Sequence, residues 1–171
     1  MKKTILAMAF LMGATVAWAQ NPVSDSLRDR LTREAKVTVA AAEEMPADKY
    51  GYKPTEAQVP FGHWVSHATG ANYFLCSKLS GGTAPEAGVK ETDPKDKLIE
   101  AVKKSFDYCT TELGKLQDSQ LKDEITLFGG RKSTKGAAAL ELSADWADHY
   151  SQMATYLRLN GLLPPTAKKK E

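Results

Sequence analysis

PFGHWVSHATGANYFLCSKLSGG, Pro60 to Gly82, reads as one long helix with its start and stop both written into the chain. Proline suits a first helical turn, where its missing N–H costs nothing. The Ser80-Gly81-Gly82 end supplies a residue free to turn left-handed. Between them lie His63 and His67, one helical turn apart, then Cys76. A helix this long with an apolar face needs other helices to cover it.

Those partners lie on both sides. Upstream, the spacing of Leu27, Leu31, Ala35, Val37, Val39 and Ala42 predicts a helix over 25–44. Ser24 and Ser26 are available at its start, and Met45-Pro46 ends it. The segment 47–59, with its tyrosines and prolines, reads as an ordered cover over one bundle end. Downstream, residues 81–92 form a Gly/Ala/Pro-containing connection. Asp93-Pro94 then reads as an N-cap and first-turn proline for a third helix carrying Leu98, Val102, Phe106, Cys109 and Leu113. A less regular segment holds Leu121, Ile125, Leu127 and Phe128. Ser133 or Thr134 then caps a last helix, which carries Ala138, Leu142, Trp146, His149, Met153, Tyr156 and Leu157. It stops at Asn160-Gly161, before Pro164-Pro165. No strand alternation and no internal repeat stands out, so the expected class is all-α, a four-helix bundle.

The first 19 residues are expected to lie outside the fold. Lys2 and Lys3 precede an apolar run and then Ala17-Trp18-Ala19, the pattern of a signal peptide cut after Ala19. The run is shorter than the roughly 20 residues a membrane span needs. The bundle domain is expected over 20–165, with a basic tail at 166–171. Of the 23 basic residues, two lie in the signal, leaving 21 against 21 acids. That balance offers no electrostatic case for nucleic acid, nor for a membrane anchor after cleavage. The expected compartment is periplasmic or extracellular. A small-molecule substrate is the expected partner, and a homodimer is left open.

In an oxidising compartment the two cysteines, Cys76 and Cys109, read as a disulfide, with two buried thiols as the competing reading. Each lies near the end of its helix, so they come level only if helices two and three run parallel. The connection between those helices spans roughly 40 Å when extended, enough to cross a helix length of about 30 Å. A disulfide therefore favours an up-down-down-up bundle with a long crossover between helices two and three.

The chain has only three histidines. On the last helix Asp145 and His149 share a face with Leu142, Met153 and Tyr156, the face that should be buried. Burying two such groups unpaired is costly. Alone, each cluster reads more simply as local hydrogen bonding. Together, two polar pairs aimed inward from two helices are how bundles build metal sites. Tyr50, Tyr52 and Trp64 read as packing residues, with the rim of a pocket as the alternative. Arg158 reads as a tie between the helix end and a loop.

Two helical strings, PFGHWVSHATGANYFLCSKLSG and HYSQMATYLRLNGLLPP, resemble the DinB/YfiT-like superfamily. MPADKYGYKPTEAQ and LFGGRKSTKGAA resemble the family's lead-ins to helices two and four, and the likeness runs from about Val37 to Pro165. It implies an up-down-down-up bundle and a divalent metal held by one histidine on helix two and two on helix four. Carried onto this chain, the ligands fall on His67 and His149. The third falls on Asp145, where the family has histidine. Two histidines and a carboxylate still form a usable facial set, although a decayed site is the alternative. His63, which the family does not require, reads as a candidate catalytic base, a further ligand or a neutral bystander.

The resemblance implies a protein that binds a divalent transition metal (zinc, iron, manganese or nickel). It would act as a metal-dependent hydrolase or thiol transferase on a small molecule. Export counts against the transferase, because the usual thiol cofactors are cytosolic. The competing reading is a metal-free, disulfide-stapled binding or stress-response module.

Overall fold

The computed structural model describes residues 20–168, so the proposed signal peptide and the last three residues of the tail lie outside it. Four helices make up the body: α1 Pro22–Glu44, α2 Phe61–Ser80, α3 Lys95–Leu113 and α4 Lys135–Leu159. Each of α1 and α2 packs against both α3 and α4, and their shared centre is the core. Val65, Leu98, Val102, Leu113, Leu142, Met153 and Leu157 are sealed there from solvent.

Contacts between α2 and α3 climb together. Gly62 lies against Leu98, Asn72 bonds Ser105, and Cys76 joins Cys109. The two helices therefore run the same way. Contacts between α2 and α4 run in opposite order: Phe61 meets Tyr156, Trp64 meets His149, and Asn72 meets Trp146.

The cysteines form a disulfide with Cα atoms 5.3 Å apart, and both residues are fully buried. Beside it lies a buried polar chain. The Trp146 indole N–H donates to Asn72 Oδ1 at 2.7 Å, and Asn72 Nδ2 donates to Ser105 Oγ at 2.9 Å. Ser105 Oγ in turn donates to the Val102 carbonyl at 2.8 Å. Every member has a partner, so the chain specifies which faces of α2, α3 and α4 meet.

The structure departs from the sequence-based expectations at the starts of two helices and within one connection. Helix α1 begins at Pro22 rather than near Asp25, because its cap comes from far along the chain. Asp118 accepts from the backbone N–H groups of Val23 at 3.0 Å and Ser24 at 2.8 Å, and from Ser24 Oγ at 2.6 Å. Helix α3 begins one residue later than expected, with Pro94 in the capping position. Asp93 instead accepts from the Lys90 N–H at 2.8 Å and pairs with Lys97 at 2.9 Å. The irregular segment before α4 contains a two-stranded antiparallel hairpin, β1 Glu124–Thr126 with β2 Lys132–Thr134, in register Ile125 opposite Ser133. Three residues per strand are too few to show alternation. Gly129 and Gly130, at φ +64° and +77°, close the hairpin. Thr134 then caps α4, accepting from the Ala137 N–H at 3.2 Å.

The segment before α2 does cover a bundle end, since Tyr156 donates from its hydroxyl to the Val59 carbonyl at 2.7 Å. Tyr50 is buried and donates to the Ala42 carbonyl at 2.7 Å, so it packs the core. The Arg158 side chain is exposed and makes no hydrogen bond or ion pair among the described residues; the residue meets the helix end only through its backbone carbonyl, which accepts from the Gly161 N–H at 3.0 Å.

Two stability outcomes follow. Cys76 and Cys109 are 33 residues apart, and opening that loop in a Cys76→Ala/Cys109→Ala variant should cost about 3–4 kcal/mol. Urea denaturation of oxidised wild type against the variant measures it. Asn72→Leu should cost about 2–3 kcal/mol, because it strands the buried Trp146 N–H. Trp146→Phe in the Asn72→Leu background should recover part of that loss in the same assay.

Candidate metal centre

Helices α2 and α4 face each other with opposite chain directions, and this brings their polar pairs together. One donor atom each from His67, Asp145 and His149 lies within 4.8 Å of the other two. The His67 and His149 rings meet edge to face with centroids 4.9 Å apart. His149 Nε2 is 3.4 Å from Asp145 Oδ1. Among the described residues this is the one group of three or more such side chains able to share an ion.

Burial grades across the trio. His149 is only 3% exposed, Asp145 is half-buried and His67 sits at the surface. Trp64 packs beside His149 with ring centroids 5.9 Å apart, and Tyr156 packs against Trp64 in turn. One side of the cluster is therefore walled by aromatic rings, and the other opens outward.

Burial also sets the charges. It pushes the His149 imidazolium down to about 4, with His67 and His63 adding repulsion that the Asp148 carboxylate partly offsets. His67 is lowered too, first by burial and then by His63. Asp145 moves the other way, up to about 6, through burial and the nearby Asp148 and Glu141 carboxylates. Near neutral pH the centre thus holds two uncharged imidazoles and a carboxylate, the protonation states a metal needs of its ligands.

Two atoms of the cluster lack partners. Asp145 Oδ2 and His149 Nδ1 are both buried with no hydrogen bond. Buried carboxylate oxygens and ring nitrogens are normally satisfied, and leaving them bare is costly. A cation among these side chains would compensate the carboxylate, so the donor set fits a divalent ion. Two imidazoles and a carboxylate, with positions left over, suit a transition metal.

His63 stands apart from the trio. Its ring stacks on His67 at 5.5 Å, as their spacing on one helix face dictates, yet its Nδ1 lies 2.8 Å from Glu91 Oε2. Glu91 belongs to the crossover between α2 and α3 and carries no sequence signal of its own. Gly62 brings it there: a Cβ at that position would sit 2.3 Å from the Glu91 carbonyl oxygen. Only glycine lets the crossover press this closely on the start of α2. Asp148 is exposed, outside the cluster.

A cavity of about 670 Å³ adjoins the centre. His63, His67 and Asp145 line it, together with Phe74, Phe128 and Val89. Tyr50, Tyr52 and Trp64 are not among its walls.

Comparison with known proteins agrees with the fold. The uncharacterized protein YjoA of Bacillus subtilis (strain 168) is 26% identical over 141 residues, spanning 81% of this chain and 91% of YjoA. The crystal structure of that DinB-like protein superposes with a TM-score of 0.67 at 25% identity, covering 85% of this chain and 99% of its own. A DinB-like protein from Bacillus cereus ATCC 10987 shares the fold at a TM-score of 0.68 and 16% identity, over 86% of this chain and 98% of its own. The model of the DinB superfamily matches residues 30–153, across all four helices and both halves of the candidate centre, and the chain belongs to that superfamily.

Proposed function

We propose that the chain holds a divalent transition metal on His67, Asp145 and His149 and acts on a small molecule, as a hydrolase before a thiol transferase. The observation that carries this is the convergence of one donor atom each from His67, Asp145 and His149 within 4.8 Å, on two helices, with Asp145 Oδ2 and His149 Nδ1 buried in the same cluster without a hydrogen bond. Zinc, iron, manganese and nickel all suit such a set. When bound, the ion supplies Lewis acidity, lowering the pKa of a water or thiol in its open position.

The chain's own residues divide the remaining work. Asp145 provides the single negative charge and His149 the buried anchor. Trp64 and Tyr156 keep bulk water from one side. His63, when neutral, donates from Nδ1 to Glu91, which leaves Nε2 bare beside the cavity. In this reading that nitrogen takes a proton from a reacting group, the role of a general base. Export supports hydrolysis, and the signal-like start and the buried disulfide support export, because disulfides persist in oxidising compartments.

Elemental analysis of the protein purified from its native compartment tests the metal. About one ion per chain is expected in wild type, and His149→Ala should lose it while circular dichroism still reports a helical bundle. A wild type free of transition metal, with a melting temperature indifferent to chelator, would leave the disulfide-stapled binding module as the better account.

The proton on Asp145 sets the pH dependence. Its carboxyl in the metal-free protein sits at about 6, so above that pH Asp145 brings no competing proton. Below it binding must expel the Asp145 proton, and affinity should fall by roughly tenfold per pH unit or more. His67, lowered from the usual imidazole range by burial and by His63, adds its own proton on the acid side, and His149, at about 4, adds one only in stronger acid. Zinc titrations between about pH 5 and 8 should show this break. A flat profile through pH 6 would reject Asp145 as a ligand.

A further inference from the structure

The cavity beside the centre has a chemistry of its own. Its volume, about 670 Å³, fits a compact organic molecule rather than a polymer. One end is polar, formed by His63, His67 and Asp145. The remaining wall is mostly apolar, with the rings of Tyr73, Phe74 and Phe128, Leu75, and Val89 from the crossover. No lysine or arginine is among the described residues that line it. Glu141, the other lining acid, is engaged by Arg131 through contacts of 2.7 and 2.8 Å.

Phe128 is the unusual residue. It is 69% exposed, at the turn of the β1–β2 hairpin, where a large apolar ring gains little from burial. Its ring stacks on Phe74 with centroids 3.6 Å apart and planes within 19°. The pair makes an aromatic platform on the cavity wall, and a planar ring is the group that best continues such a stack.

We infer that the site takes a small molecule with one aromatic ring and one metal-ligating head, the ring seated against Phe74 and Phe128 and the head at the His67–Asp145–His149 centre. The inference rests on the metal reading for the head alone. The lining residues carry no cation of their own, and Lys78, whose Nζ lies 5.4 Å from the Phe74 ring centroid, brings a single charge to the platform, so the multiply charged thiol cofactors of a transferase fit less well than a ligand with one charge. A singly charged or neutral aryl acid derivative fits both ends.

Two probes with the same head separate the ring from the metal. Benzohydroxamic acid carries an aromatic ring, and acetohydroxamic acid replaces it with a methyl group. Affinities would be measured by calorimetry on zinc-loaded protein. Amide NMR shifts would be followed on both the zinc-loaded and the chelator-treated protein. The expected result is binding of benzohydroxamate about tenfold or more tighter than acetohydroxamate, with the largest ring-specific shifts at Gly129 and Gly130. Phe128→Ala should bring the two probes to within about twofold without changing acetohydroxamate affinity. Leu140→Ala, at an exposed residue outside the cavity, should leave the preference intact.

Equal affinities for the two probes on a zinc-loaded protein would overturn this inference and leave the metal reading standing. So would a ring preference that survives Phe128→Ala. Failure to take up zinc, with benzohydroxamate still shifting Gly129 and Gly130 more than acetohydroxamate does, would sink the metal reading and keep the aromatic seat. Neither zinc uptake nor a ring-dependent shift would overturn both.

Discussion

The hydrogen bond from the Trp146 indole to Asn72 is the constraint on which the rest depends. It is 2.7 Å long and fully buried, and it locks α4 against α2 at one register. Asp145 precedes Trp146 and His149 follows it by less than a turn, while His67 lies little more than a turn before Asn72. Sliding α4 by one turn would move it about 5.4 Å. That exceeds the 4.8 Å within which the three donor atoms now lie. Apolar residues alone would tolerate such a slip, because Leu142, Met153 and Leu157 offer similar surfaces at similar spacing. A buried polar pair does not, since the slip would strand a donor and an acceptor together.

This explains why the four helices were legible in the sequence and the details of their ends were not. Helix existence is a local property. The stripe Leu98, Val102, Phe106, Cys109, Leu113 reads as a buried face without knowledge of its partners. Where α1 begins is a tertiary property, because Asp118 lies more than ninety residues from the N–H groups of Val23 and Ser24 that it caps. The hairpin before α4 failed for another reason, since three residues per strand hold less than two periods of alternation. Within the site, His67, Asp145 and His149 were accessible because helical spacing and a family likeness both singled them out. Glu91 was not, because nothing in a Gly/Ala/Pro-containing connection says which of its side chains will meet α2. The signal lay at Gly62, where the absence of a side chain marks a close approach.

The mixed donor set has an energetic logic. A third histidine at position 145 would join His67 and His149 as another neutral group, able to hold its place without a counter-charge. An aspartate there is costly in the metal-free protein, and its carboxyl is pushed up to about 6 as a result. The same burial that penalises the anion raises the gain when a cation arrives, because both charges then interact in a low-dielectric setting. Such a site is closer to conditional than a set of three imidazoles. On the proposed reading it would bind where the carboxylate is ionised and release as acid restores the proton.

Cavity and topology are also one problem rather than two. Helices α2 and α3 run in the same direction, so the chain must travel back along the bundle between them. A tight turn cannot do this, and the crossover from Gly81 to Pro94 results. That segment lies along α2, and its residues become walls: Ala84, Pro85, Ala87 and Val89 line the cavity, and Glu91 reaches His63. The hairpin between α3 and α4 closes another side with Phe128. Two connections imposed by the order of the helices thus enclose the space beside the donor atoms. A bundle joined only by short turns would have presented His67 and Asp145 on an open helix surface. The long crossover that the disulfide-linked parallel pair requires is therefore what turns a helix seam into a pocket.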